Sequence, residues 1–205
     1  DIEGLPFLEA IRAMKVELGK NMAMSVHLTL VPYIKVAGEL KTKPTQHSVG
    51  ELRRIGISPD MIICRSEMPL NREIKDKIAA SCGVYKNCVI ESPDASSIYQ
   101  IPLIFAKQGI LTQISDALNL GEISPNLSEW DNLTKRVVMP NDSIEIAFVG
   151  KYIDLKESYK SLTEALIHAG ASLDTRVNIH WCDSEKINAN NIAQTLKNCD
   201  GILIP

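Results

Sequence analysis

Short apolar runs alternate with longer amphipathic stretches along this chain, and the spacing inside each stretch predicts its element. Residues 24–34 are apolar and β-branched enough for a strand. So are Asp60-Met61-Ile62-Ile63-Cys64-Arg65 and the brief pair Val89-Ile90, which ends in the turn signal Glu91-Ser92-Pro93-Asp94. Between them lie helical patterns. Residues 5–18 place Leu8, Ile11, Val16 and Leu18 at broadly helical spacing, with Pro6 tolerable in the first turn. A helix capped by Thr45 or Ser48 runs to Ile55 and stops at Gly56, and Glu51 stands at capping-box distance from Ser48. Asn71 opens a charged helix ending near Ala80. Ser96 or Ser97 starts another, with Ile98, Ile101, Leu103 and Ile104 apolar and Pro102 expected to kink or limit it. Residues 109–121 carry no assignable pattern, and residues 127–136 predict one further helix.

At Met139-Pro140-Asn141-Asp142-Ser143 the pattern restarts. Residues 144–150 predict a strand, 158–169 a helix, 177–182 a strand, 192–196 part of a helix and 201–204 a third strand. Two successive strand–helix series with short connections predict an α/β fold. It is a mostly parallel sheet with flanking helices, followed by the first half of a second doubly wound α/β domain.

Composition narrows the function classes. Hydrophobic residues at 45% supply a core, and the net charge of -3 argues against a general nucleic-acid binder. The five cysteines form no C-x-x-C pair, which excludes a zinc pattern and a disulfide framework and suits a reducing, cytoplasmic setting. No apolar run reaches the length of a membrane span, and no secretory pattern opens the chain. Both ends read as cut, so an internal fragment of a larger protein is expected. The chain has no P-loop, no nucleophile elbow and no metal-ligand spacing. On residues alone it can bind an anion and cannot complete a reaction.

The anion reading rests on Lys41-Thr42-Lys43-Pro44-Thr45-Gln46, where a strand hands over to a helix. Open α/β sheets bind ligands outside the carboxyl ends of their strands, and cations beside a helix N-terminus favour a polyphosphate. A solvated loop whose lysines keep the protein soluble explains the same residues, and charge alone favours it. Asp1 and Glu3 likewise read either as acids near a helix's positive end or as a carboxylate pair for a ligand.

Longer motifs change that balance. Residues 1–12, from Asp1-Ile2-Glu3-Gly4 onward, resemble the segment of CTP synthase that follows its Gly-Gly-Thr-Val-Gly loop. His27-Leu28-Thr29-Leu30-Val31-Pro32-Tyr33 and residues 38–49 resemble that family's most recognisable interior motif. Gly56-Ile57-Ser58-Pro59-Asp60, Ile63-Cys64-Arg65-Ser66, Ser97-Ile98-Tyr99, Trp130 and Val149-Gly150-Lys151-Tyr152 continue the match in register.

The resemblance implies an enzyme that makes CTP from UTP. ATP phosphorylates the uracil O4, and ammonia released from glutamine in a second domain displaces that phosphate at C4. By position, Lys41, Thr42, Lys43, Pro44, Thr45, Gln46 and Lys77 would hold UTP. Asp1, Ile2 and Glu3 would contact CTP bound as feedback inhibitor, with the triphosphate subsite shared. Pro93, Asp94 and Ala95 would meet the adenine of ATP, although the family usually has a basic residue at the position of Pro93. Lys151, Tyr152 and Lys160 would lie near the activator GTP. The resemblance further implies a homotetramer, with no nucleic-acid or membrane partner.

It also implies a layout. Residues 1–120 would be the later part of a P-loop synthetase-like amidoligase domain, 121–142 a linker with a short helix, and 143–205 the start of a class I glutamine amidotransferase-like domain. The magnesium carboxylates would precede Asp1 and the glutaminase nucleophile would follow Pro205. No catalytic or metal residue is therefore expected in this chain, and the chain alone is expected to be inactive. Two rival readings are a pyrimidine-nucleotide sensor that kept the binding motif and a related synthetase fused to an amidotransferase.

Overall fold

The computed structural model describes residues 3–205, and the chain divides into two compact units that meet at Pro125 and Asn126. In the first unit, three parallel strands form a sheet in the order β1 (Val26–Leu30), β4 (Met61–Ser66), β5 (Val89–Pro93). Central β4 is nearly continuous in apolar residues because helices cover both of its faces. Ile62 and Cys64 pack with Val49 of α2 (Lys43–Arg54) and with Ile78, Ala79 and Cys82 of α3 (Arg72–Cys82). Met61 and Ile63 pack on the other face with Phe105 of α4 (Ile101–Lys107) and with Ile110 and Ile114 of α5 (Ile110–Leu118). Edge strand β1 is one-sided within this unit. Thr29 and His27 turn toward α2, while Val26, Leu28 and Leu30 are exposed. Helix α1 (Leu5–Leu18) contributes no buried residue and is tied down by polar contacts, Lys15 Nζ donating to Ser25 Oγ at 2.9 Å and pairing with Asp60 at 2.6 Å.

Several expected boundaries move, each for a local reason. The run 24–34 is not one strand. It breaks after Leu30, where Val31 donates its N–H to Arg65 O at 2.8 Å and Pro32 has none to give. Beyond the break, β2 (Tyr33–Ile34) pairs antiparallel with β3 (Glu39–Leu40) in a small hairpin that periodicity did not show. Its turn needs Gly38 at φ +65°, a left-handed conformation natural to glycine. Helix α2 starts at Lys43 instead of Thr45 or Ser48, with Pro44 in its first turn, where its missing N–H costs nothing. The expected capping box at Ser48 does not form, because the helix already runs from Lys43 and Ser48 lies inside it, its Oγ hydrogen-bonded to His27 Nε2 at 2.8 Å. Pro102 does not kink a helix. It opens α4, after a single tight turn at Ile98–Gln100 that carries its own capping box from Ser97. The unassigned stretch 109–121 contains α5. The Asn71 cap forms as expected, its Oδ1 accepting from Ile74 N at 2.9 Å.

The second unit holds a parallel sheet in the order β7 (Thr175–Asp183), β6 (Asp142–Gly150), β8 (Gly201–Leu203). Helix α6 (Ser128–Val138), anticipated within the linker, packs against α7 (Lys160–Ser172), so residues 126–142 belong with this unit. Phe148 is fully buried beneath Tyr159 and Trp181, at ring distances of 4.9 and 4.6 Å. A short helix α8 (Ile192–Thr195) precedes β8. No helix among the described residues is long and apolar enough to cross a membrane.

A Cβ at Gly170 would lie 2.4 Å from the backbone oxygen of Thr175, where α7 turns into β7. Gly170→Ala is expected to cost about 1–3 kcal/mol, more than the ~1 kcal/mol gained from helix propensity, measured by urea denaturation. Burial pushes the Cys64 thiol up to about 12 from 9.0, and also raises Cys82 and Cys88. All three should resist a thiol-specific dye at pH 8 until urea unfolds the chain. Above pH 9 the unfolded thiols release protons that the native ones retain, so the urea midpoint should fall between pH 8 and pH 10.

Candidate nucleotide site

The three strands of the first unit run parallel and in register, so their carboxyl ends reach one edge together, Leu30 beside Arg65 and Ser66 beside Pro93. The segment 41–46 and the 93–95 turn both lie at or beyond strand ends at that edge. A cleft of about 420 Å³ opens there, lined among others by Tyr33 and Glu39 of the hairpin, Thr42, Met68 and Asn71 of the β4–α3 connection, and Lys77 of α3. Lys77 is thirty-five positions from Thr42 in sequence, and the fold puts both on the same cavity.

The segment 41–46 is rigidly seated. Lys41 donates its N–H to Pro32 O at 2.9 Å, which fastens the hairpin to the start of α2. Thr42 is 5% exposed, and its hydroxyl accepts from Gln46 Nε2 at 3.1 Å. Lys43 and Pro44 are exposed. First-turn N–H groups of a helix lack i−4 carbonyl partners, so Lys43 and Thr45 also bring amide donors to this end of α2. Thr45 differs from its neighbours. Its side chain is fully buried, receiving a hydrogen bond from Thr29 Oγ1 at 3.3 Å and donating to Leu30 O at 3.2 Å. It pins α2 to β1 with its hydroxyl, leaving only its backbone for a ligand.

Charge in the cleft is balanced from within. The Lys41 ammonium is ion-paired with Glu39. The Glu39 carboxyl is held below its ordinary range first by the hydrogen bond from Lys41, then by that lysine's charge, with a further contribution from the charge of Lys77. Tyr33, Glu39, Met68 and Asn71 were not singled out as site residues from sequence. The hairpin that brings in the first two has only Gly38 as its signal.

The segment anticipated to meet adenine leaves the same edge one strand over. Asp94 donates its N–H to Ser66 O at 3.0 Å, and its carboxylate is paired with Arg65 at 2.7 Å. Ser66 also donates its hydroxyl to Met68 O at 2.7 Å, so one buried serine holds both the 93–95 turn and the cleft's Met68. Glu91 reinforces this arrangement, accepting from Leu70 N at 2.7 Å. Of the residues anticipated to meet CTP, Glu3 is exposed just before α1, while Asp1 and Ile2 lie outside the described residues.

In the second unit, Lys151 and Tyr152 follow the carboxyl end of β6, and Lys160 opens α7. Lys151 pairs with Glu185 at 3.1 Å, and its carbonyl accepts from Tyr159 Oη at 2.6 Å. Lys160 pairs with Glu164 of its own helix at 3.3 Å. Tyr152 is 75% exposed with φ +55°, an uncommon conformation for a bulky residue. The two lysines thus take different carboxylates and are not brought to a common partner. Among the described residues, no group of three or more His, Cys, Asp or Glu side chains is placed to hold a metal ion.

Comparison with known proteins follows the same lines. The family description "CTP synthase N-terminus" matches residues 1–120. The CTP synthase of Campylobacter jejuni subsp. jejuni serotype O:6 is 69% identical over 204 residues, covering 100% of this chain and 38% of that protein. That of Wolinella succinogenes is 59% identical over 205 residues, again across 100% of this chain and 37% of the relative. The CTP synthase of Sulfurimonas denitrificans is 58% identical over 204 residues, 38% of its length. The chain thus spans less than two fifths of the length of these curated relatives. With the family pattern covering 120 of its 205 residues and these relatives aligned along the whole of it, the chain belongs to the CTP synthase family.

Proposed function

We propose that this chain is the nucleotide-gripping part of a ligase that aminates UTP to CTP with ATP and ammonia from glutamine. The cleft between the β2–β3 hairpin, the start of α2 and α3 takes the UTP triphosphate. The observation that carries this reading is the meeting of Lys77 with Thr42 and the hairpin on one cavity of about 420 Å³, beside a helix N-terminus that also bears exposed Lys43. Ammonium groups neutralise phosphate charge, and amide and hydroxyl groups direct individual oxygens. Gln46, held by Thr42, is positioned to orient such a group.

The adjoining 93–95 turn is the adenine side of the ATP site. Its connection to Met68 through Ser66 supports two nucleotides bound side by side at one sheet edge. Glu3 and its neighbours Asp1 and Ile2 serve CTP as feedback inhibitor. Lys151, Tyr152 and Lys160 serve GTP as activator at the carboxyl end of β6. Magnesium is held by residues other than those described here. The working enzyme is a cytoplasmic homotetramer.

Calorimetric titration of the full-length gene product with UTP tests the cleft. Lys77→Ala and Lys43→Ala should each weaken binding by about 10- to 100-fold, the loss expected for one charge-assisted hydrogen bond. Unchanged UTP affinity in both variants would remove the cleft from the reaction.

A further inference from the structure

Glu39 sets a carboxylate in the cleft with Lys77, beside the segment that carries Lys41 and Lys43. It stands in β3, two residues before Lys41, and its side chain is ion-paired with the Lys41 ammonium. It lines the same cavity as Thr42 and Lys77. The Lys77 charge, from α3, also acts on it. The pair is exposed, at 44% for the lysine side chain and 57% for the glutamate, so neither partner is locked in by packing. A second carboxylate, Glu73, lines the cleft one turn before Lys77 on α3. Among the described residues, Glu39 alone of the two is ion-paired with a lysine of the segment 41–46.

We propose that Glu39 is a resident counter-anion that the incoming triphosphate must displace from Lys41, and that it thereby sets how tightly this site holds its nucleotide. The proposal rests on the reading of the cleft as a triphosphate site. Glu39 neutralises the lysine of the unliganded cleft. On binding, Lys41 exchanges a carboxylate for a phosphate oxygen, and the freed carboxylate turns to water. The exchange gains less than pairing an unopposed ammonium with phosphate, and Glu39 left nearby repels the ligand. Both effects lower affinity.

The test titrates UTP into the full-length gene product and its Glu39→Gln, Glu73→Gln and Lys77→Ala variants, at several salt concentrations. Glu39→Gln should bind UTP about two- to fivefold tighter, the range spanned by an exposed ion pair. Its affinity should also fall more steeply with added salt, because one more unneutralised cation takes part in binding. Glu73→Gln should produce less than half that gain. Unchanged or weaker binding in Glu39→Gln overturns the proposal, as does an equal gain in Glu73→Gln, which would mark a general field in place of a specific counter-ion. If Lys77→Ala leaves affinity untouched, the triphosphate reading itself falls. If Lys77→Ala weakens binding and Glu39→Gln changes nothing, only the role of Glu39 falls.

Discussion

Burial of β4 on both faces governs the first unit. A strand covered by α2 and α3 on one side and by α4 and α5 on the other cannot shift register by one residue without exchanging its two cores. That register carries β1 and β5 with it, because both pair in parallel with β4. All three chains therefore arrive together at one edge, and the β2–β3 hairpin, the 67–71 connection and the 93–95 turn all start there. The cleft is a consequence of strand alignment before it is a consequence of any charge.

Polar groups then hold the edge in shape. Thr45 is spent on Thr29 and Leu30, Ser66 on Met68 and Asp94, and Glu91 on Leu70. These bonds lie in partly or fully buried surroundings, where leaving one unmade costs about 1–3 kcal/mol. The charged side chains in front of them are exposed and worth little to stability. Shape and charge are thus carried by different residues, which leaves the lysines free to exchange partners without loosening the fold.

The second unit repeats the strand-end geometry with another support. Phe148, Tyr159 and Trp181 form an aromatic cluster beneath the end of β6, and Lys156 stands 5.7 Å over the Trp181 ring. The Asp183 carboxyl nearby is held below its usual range, chiefly by the N–H of Glu185, then by Lys186, with Lys151 adding charge. In each unit a carboxylate near the strand ends is paired with one lysine and feels the charge of a second, Asp183 with Lys186 and Lys151, Glu39 with Lys41 and Lys77.

Much of this protein could be read directly from its residues. Apolar runs marked β1, β4 and β6, helical spacing marked α1 and α7, and Asn71 announced its helix, because these signals depend on neighbours a few positions apart. Lys41 to Gln46 stood out as a strand-to-helix segment rich in donors, and longer motifs tied it to a family. What lay beyond reach were contacts between distant positions. Pro32, with no N–H to give, divided an apparent strand after Val31 had bonded to Arg65, and Ser48 fell inside α2 with its hydroxyl on His27, a residue twenty-one positions earlier. Thr45 stood among the expected ligands, and its hydroxyl is buried between Thr29 and Leu30. Local pattern was enough to specify an α/β chain with a phosphate-friendly loop. Which of those donors face a cavity, and that Glu39 shares it, came from the folded arrangement, since burial and charge proximity depend on which elements the parallel sheet brings to one edge.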